Sequence, residues 1–554
     1  MDNKQTSQQP KLTFKQKLDK FFKISERGSS FKTEIIAGLT TFFAMAYIVV
    51  TNPNQITSFS RLGELNTVWL SVYVASILAA VIGTLLMAFY SKMPFAQACG
   101  MGLNSFFFVS FILPEVLAGD NGDVVKGYKE GLAIILLSGL LFMILSLTGA
   151  RSYIAKSLPE NIKKAVSAGI GLFIAFLGFQ NVGMIQINKY TLVQLFDFNG
   201  IIDATEHTIG SLVAAHSYDA VSDAVYGAYD GLLHFSGVYS SAMAPEATEE
   251  AKAAWEALAA TEITGMHAWT LIAPVVIALV GLCVMGILTK KKVNGAVIYT
   301  ILGSTALYYL VTWQAPAFQI KDIGASFVAF GKEGFLGAFE GFATLFQADP
   351  ANNVTLFGAI LSAVMLVITF TLVDMFDTIG TLYGAASQAN MLDENGDPIN
   401  MKECMNSDSI ATASGALLGT STCTTFVESS AGVGVGGRTG FASLITSICF
   451  LACLFLTPLA TIIPACATAP ALIFIGVLML KNFAKIDMTD LSSAIPAFLT
   501  LVMMPLTYSI SNGIAVGAIS YVLIRIFTGK FQKKDIIITV IAILFGLRFF
   551  FVSM

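Results

Sequence analysis

Three carboxylates, Asp374, Asp377 and Glu428, stand within or beside long apolar runs of a 554-residue chain. An acid held at the middle of a bilayer costs roughly 2.5 kcal/mol or more on insertion scales, so such residues mark sites of function. Asp374 and Asp377 lie three residues apart in FTLVDMFDTIGTLYG and therefore face roughly the same way on a helix. Glu428 sits in TSTCTTFVESSAGVGVGGRTG, where the β-branched stretch from Thr422 to Val427 runs into Gly432, Gly434, Gly436 and Gly437. Carboxylates in such places can accept hydrogen bonds from a polar substrate and can carry a proton with it. For Asp374 a second role is equally open, as a hydrogen-bond partner of neighbouring helices.

Other chemistries find little support. All four histidines, His207, His216, His234 and His267, fall in one loop, so a histidine proton relay inside the membrane is not expected. Among seven cysteines, Cys449 and Cys453 are spaced i, i+4 without His or carboxylate company, and there is neither a CxxC pair nor a disulfide framework. With no metal-ligand cluster and no nucleophile arrangement, the chain does not read as an enzyme, and neither a cofactor nor a metal is expected. The segment QANMLDENGDPINMK looks like a calcium loop only superficially, because Cys404 stands where the twelfth-position acid belongs; a turn at Asn395-Gly396 is the better reading. A formal net charge of −4 is too small to imply a charged partner such as a nucleic acid.

The elements that must position the acids are membrane spans. Mean hydropathy is +0.72, with 55% apolar and only 12% charged residues, about half the charge content of roughly 25% typical of soluble domains. The polar, Lys-rich start shows no cleaved signal peptide. Apolar runs of span length occur near 35–51, 68–90, 95–113, 131–150, 165–183, 268–288, 294–312, 356–382, 406–421, 423–437, 440–462, 467–483, 490–508 and 511–528, which makes fourteen. Lys92, Arg151, Lys163, Lys290, Lys402, Arg438 and Lys481 all fall on the side of the N-terminus when the spans are counted, while intervening connections such as 114–130 and 184–267 are neutral or acidic. The positive-inside rule makes that side cytoplasmic, predicts a multi-pass protein of the plasma (inner) membrane, and makes Arg438 an interface anchor.

The domain reading is an arm at 1–32, spans 1–5 in 33–183, an external insertion at 184–267 and spans 6 and 7 in 268–312. An external connection at 313–355, spans 8–11 in 356–462, spans 12–14 in 463–530 and a C-terminal apolar segment at 531–554 complete it. The insertion carries eleven acidic and two basic residues, and its Ala-rich part from Ala244 to Ala260 has the look of a helix covering the outer face. The last run, 536–552, holds Arg548 and reads as an interfacial or packed helix.

Two segments are too broken to be ordinary spans. Pro94, Gly100 and Gly102 interrupt MPFAQACGMGLNSFFF, and the glycines after Glu428 interrupt its own segment. Each reads as an extended piece followed by a half-helix, a backbone tolerated at membrane depth only inside protein or along a cavity. They are third in the first seven spans and third in the second seven; seven being odd, the halves insert in opposite orientation as inverted repeats do, and paired broken segments point to a binding site. Half-helix N-termini offer N–H donors and extended backbone offers carbonyls, a set that suits a neutral heterocycle with donors and acceptors of its own. Glu428 falls at the join and could accept two N–H groups of one substrate.

These residues also resemble a family. EIIAGLTTFFAMAYIVVTNP (34–53), GMGLNSFF (100–107), VDMFDTIGTLYGAA (373–386), MLDENG (391–396), GALLGTSTCTTFVESSAGVGVGGRTG (415–440) and ATAPALIFIGVLM (467–479) are similar to the AzgA-like purine permeases of the nucleobase transporter superfamily. The resemblance spans most of the membrane region but not 184–267. It implies an all-α integral membrane fold of fourteen spans in two inverted seven-span repeats, with short β-like pieces in spans 3 and 10. It also implies a core domain (spans 1–4 and 8–11) that moves against a gate domain (spans 5–7 and 12–14), proton symport of hypoxanthine, guanine or adenine, and a homodimer. Asp377-Thr378-Ile379-Gly380 fits the family's span 8 step, which favours Asp377 over Asp374. Glu428 matches the span 10 acid, Val427 and Ser429 would add backbone contacts, and Cys99, Gly100, Met101 and Gly102 would face them from span 3. The coupled proton would ride on Asp377, Asp374 or Glu428. Xanthine, uric acid or uracil carriers of the same fold are the alternative, and an anion transporter of this architecture a remote one.

Overall fold

The computed structural model describes residues 13–58, 63–117, 122–148, 159–188, 192–203, 208, 249–260, 265–291, 293, 295–316, 319–346, 356–388, 391–394, 398–426, 428–481 and 483–551. It opens with a short amphipathic helix, α1 (Phe14–Phe22), whose Thr13 and Gln16 form a capping box. The first apolar run is split in two, α2 (Phe31–Met45) and α3 (Ile48–Ile56), with Ala46 and Tyr47 between them. Thr51, Asn52, Asn54 and Gln55 make α3 polar although every one of its residues is buried. The partners include Ser76 and Thr420 for Asn52, and Asn104 for Gln55. Helix α4 (Glu64–Leu86) ends in a π-turn over Met87–Ser91.

The chain then runs extended through β1 (Gln97–Cys99) into α5 (Met101–Phe107), which a π-turn and α6 (Leu113–Leu117) prolong. Next come α7 (Val124–Thr148), α8 (Glu160–Asn181), a hairpin of β2 (Ile185–Asn188) and β3 (Leu192–Leu195), and α9 (Phe198–Asp203). Of the Ala-rich part of the insertion, α10 (Glu249–Ala259) is helical as the composition predicts. Helices α11 (Gly265–Lys290) and α12 (Ala296–Thr312) follow, and the connection 313–355 is no plain loop, since it contains α13 (Lys321–Ala329) and α14 (Gly337–Leu345), packed on α4 and α7.

The second half opens with α15 (Leu356–Gln388), 33 residues or about 50 Å at 1.5 Å per residue, longer than a hydrocarbon core of about 30 Å. Then come α16 (Met401–Leu418), β4 (Cys423–Thr425), α17 (Ser429–Gly434), α18 (Gly440–Ala452) and α19 (Thr457–Ala460). Helices α20 (Ala465–Leu480), α21 (Leu491–Leu506), α22 (Ile510–Phe527) and α23 (Ile536–Phe551) close the chain. The C-terminal apolar run is thus a helix packed on α22 and α15. The predicted turn at Asn395-Gly396 lies outside the described residues, between Leu392 and Pro398, which form an antiparallel bridge.

Each of the fourteen apolar runs coincides with a helix or with a strand leading into one. Among the described residues, eight helices are long and apolar enough to cross a membrane by length and composition, and five shorter apolar helices, including those over 101–116 and 465–480, accompany them. Packing sorts them into two groups. Helices α2–α5, α7 and α15–α18 contact one another, while α8, α11, α12 and α20–α22 contact one another, and α5, α15 and α12 supply the contacts between the groups.

Candidate functional site

At the centre of the first group, β1 and β4 pair with each other. The ladder is antiparallel, with Gln97 opposite Thr425, Ala98 opposite Thr424 and Cys99 opposite Cys423. Gly100 N–H donates to Thr422 O at 2.9 Å and Phe426 N–H to Ala96 O at 3.0 Å, extending the ladder at both ends. Thr422, Thr424 and Thr425 favour the extended backbone because branching at Cβ restricts χ1. Two strands of three residues would be marginal in water, but these are fully buried between α4, α15 and α16. Since the strands run oppositely, the helices they feed leave in opposite directions: α5 after the cap Gly100, and α17 after Glu428, which holds its N-cap position.

Glu428 is half-buried, and its carboxylate accepts a 2.7 Å hydrogen bond from the hydroxyl of Tyr47, the residue at the joint of α2 and α3. Asp377, half-buried on α15, lies near enough to Glu428 for the two charges to interact, and among the described residues nothing donates to its carboxylate. Ser429 is fully buried; its hydroxyl accepts from Ala96 N–H at 3.0 Å and so fastens the start of α17 to the approach of β1. Met101 begins α5, its sulfur 3.9 Å from Thr51 Oγ1 of α3. Gly102 is the close approach to the second helix group, where an added Cβ would stand 2.5 Å from Ile170 Cγ2 of α8. Cys99 turns its side chain to the back of the sheet, among Ala79, Ala411 and Cys423. Val427 lies outside the described residues.

Asp374 parts company with Asp377. Three residues of helix advance about 300°, so neighbours at that spacing stand ~60° apart and can meet different partners. Asp374 is fully buried behind the sheet, where Thr412 Oγ1 of α16 donates to Oδ2 at 2.8 Å while Oδ1 has no partner among the described residues. Beside it lies an acid that the sequence reading passes over. Asp408, buried on α16, accepts from Gln97 Nε2 of β1 at 3.0 Å and from Thr378 Oγ1 of α15 at 2.5 Å, and Thr378 also meets Thr424 of β4 at 2.7 Å. Its signal was the i, i+4 pair Asp408 and Thr412, which faces the i, i+4 pair Asp374 and Thr378. Ser407 and Ser409 on either side gave that stretch the appearance of a span end. None of the four acids is in an ion pair among the described residues.

Arg438 closes α17, donating to Val433 O and Gly437 O at 2.7 Å each, and its own carbonyl accepts from Arg27 at 3.0 Å. Gly432 lets α17 lie on α2, since a Cβ there would collide with Ala37 O and Thr41 Oγ1.

A polar site held by broken helices at the centre of a many-helix apolar fold is the architecture of a multi-pass membrane transporter. Comparison with known proteins narrows it: residues 32–205 and 242–516 match the model Xan_ur_permease, described as a permease family. The chain belongs to this family. It is similar to a putative permease, MJ0326, of Methanocaldococcus jannaschii, at 34% identity covering 97% of this chain and 99% of the relative. It is similar to the guanine/hypoxanthine permease PbuO of Bacillus subtilis at 33% identity, covering 96% and 99%, and to the adenine permease AdeQ of Escherichia coli at 30%, covering 97% of each. Family and relatives agree with the AzgA-like resemblance, and they are permeases, not enzymes. Among solved structures, the transmembrane domain of the cyanobacterial bicarbonate transporter BicA has TM-score 0.52 at 14% identity, covering 87% of this chain and 97% of that one. SLC26A9 has TM-score 0.51 at 11% identity, covering 90% and 66%. Both share the fold.

Proposed function

We propose that this transporter imports purine nucleobases, hypoxanthine, guanine or adenine, by proton symport with alternating access across the plasma (inner) membrane, its N-terminus cytoplasmic and its assembly a homodimer. The observation that carries the reading is the pair Asp377 and Glu428, two half-buried acids near each other beside the β1–β4 sheet. Both have acceptor capacity to spare, and a purine presents ring and exocyclic N–H groups to match. Gly100, Met101 and Gly102 and the backbone at Ser429 would flank the base with peptide groups. The substrate class draws support from the relatives named as guanine/hypoxanthine and adenine permeases. Proton coupling draws support from the acids themselves: none has an ion-pair partner among the described residues, and a proton is one means of neutralising a carboxylate at this depth. Asp377 is the first choice as proton carrier, because Asp374 is sealed behind the sheet and committed to Thr412.

Uptake of labelled hypoxanthine, guanine and adenine, with each base competing against the others, tests the reading. Glu428→Ala should abolish saturable uptake, Asp377→Asn should abolish or uncouple it, and a protonophore should collapse accumulation. Normal uptake in Glu428→Ala would remove Glu428 from the site, and indifference to the protonophore would remove the proton. A carrier of xanthine, uric acid or uracil would show itself in the competition series. The anion carriers of this architecture share the fold, but Glu428 at the start of α17 would repel an anion there.

A further inference from the structure

We propose that Tyr47 is a positioning residue of the substrate site: its hydroxyl holds the Glu428 carboxylate in the orientation that receives the base. The inference rests on Glu428 being a substrate ligand. Tyr47 is one of the two residues between α2 and α3, and its side chain is buried. Its O–H donates to Glu428 Oε1 at 2.7 Å, and among the described residues it is the side-chain donor to that carboxylate, beside Glu428's own backbone N–H. Two donors against about four acceptor positions of a carboxylate leave capacity for the N–H groups of a ligand.

The tyrosine is itself fixed from below. Its carbonyl accepts Val50 N–H at 3.1 Å, Thr51 N–H at 3.0 Å and Thr51 Oγ1 at 3.2 Å, so it forms the first turn of α3. One turn on, the same Thr51 lies against Met101 at the start of α5. Helix α3 therefore touches both half-helices, α17 through Tyr47 and α5 through Thr51, and it registers the tyrosine hydroxyl against the two strands that carry them. A phenol is also matched to an acid that gains and loses a proton. It donates to the carboxylate and accepts from the carboxylic acid, so the contact survives either state.

The test is equilibrium binding of labelled guanine, hypoxanthine and adenine to the purified full-length protein in nanodiscs, comparing wild type, Tyr47→Phe, Glu428→Gln and the double variant. Tyr47→Phe keeps the ring and removes one oxygen. A hydrogen bond to a charged group predicts a Kd raised about tenfold or more for the bases that bind. In the Glu428→Gln background the same substitution should add little, because the carboxylate it orients is gone. Two results would overturn the proposal while leaving Glu428 as a ligand: an unchanged Kd in Tyr47→Phe, or an equal loss in both backgrounds together with a lowered thermal midpoint, which marks a purely structural role. An unchanged Kd in Glu428→Gln alone would overturn the ligand assignment and, with it, this proposal.

Discussion

Glu34 is fully buried, yet it accepts four hydrogen bonds: from Arg438 N at 2.9 Å, Thr439 N at 3.3 Å, Thr439 Oγ1 at 2.8 Å and Ala442 N at 3.2 Å. Its negative charge stands at the N-terminus of α18, where the helix dipole favours it. Glu428 offers the contrast, a half-buried acid with one side-chain donor among the described residues and capacity in reserve. Saturation by fixed donors marks Glu34 as structural, and the spare acceptor capacity of Glu428 accords with its proposed role as a ligand. Glu34→Ala should accordingly strand several buried donors and lower stability by about 2 kcal/mol, read as a reduced thermal midpoint of the purified protein. The same substitution should leave the affinity for bases unchanged in the protein that remains folded, and a weakened affinity would show that the cap also shapes the site.

Among the elements, the strands make the most exact claim. With Gly100 and Thr422 hydrogen-bonded opposite each other, and Ala96 opposite Phe426, the alternation of an antiparallel ladder puts Cys99 and Cys423 at a non-hydrogen-bonded pair, where side chains come closest. Both are free thiols. A mild thiol oxidant applied to membranes should join them, giving a disulfide-linked pair of peptides by mass spectrometry that reducing agent separates and Cys99→Ser abolishes. Failure to find it under conditions that oxidise other buried thiols would count against this register. Much of the element plan was legible in the sequence, because Pro94 with Gly100 and Gly102, and the cluster of glycines after Glu428, weaken a continuous helix at those points. Span length likewise follows from bilayer thickness alone. The mutual pairing of the two extended pieces was not legible, since it joins Gln97 to Thr425 across 328 residues of chain. Tyr47 and Asp408 escaped for a related reason. A tyrosine in an apolar run and an aspartate flanked by serines acquire meaning from the neighbours that the fold supplies, Glu428 for one and Gln97 with Thr378 for the other.

For the whole molecule, the two helix groups meet through few contacts, among them α5 against α8, where Gly102 has no side chain to catch on Ile170. The bare backbone of Gly102 is what lets α5 and α8 approach so closely there. The proposed cytoplasmic N-terminus makes a direct prediction: Lys15→Cys should react with a membrane-impermeant maleimide in inside-out vesicles and stay unlabelled in intact cells. Labelling from outside would reverse the orientation. The β1–β4 ladder carries one more consequence, for the order of assembly. During synthesis β1 enters the bilayer long before β4 exists, and an unpaired strand edge is not tolerated in lipid. The early helices must shelter that edge, in a provisional packing or with a chaperone's help, until Cys423–Thr425 arrives as its complement. β4 and Glu428 are thus made late, with only α17 and α18 of the first helix group still to follow, and a chain that stops short of them leaves β1 an open strand.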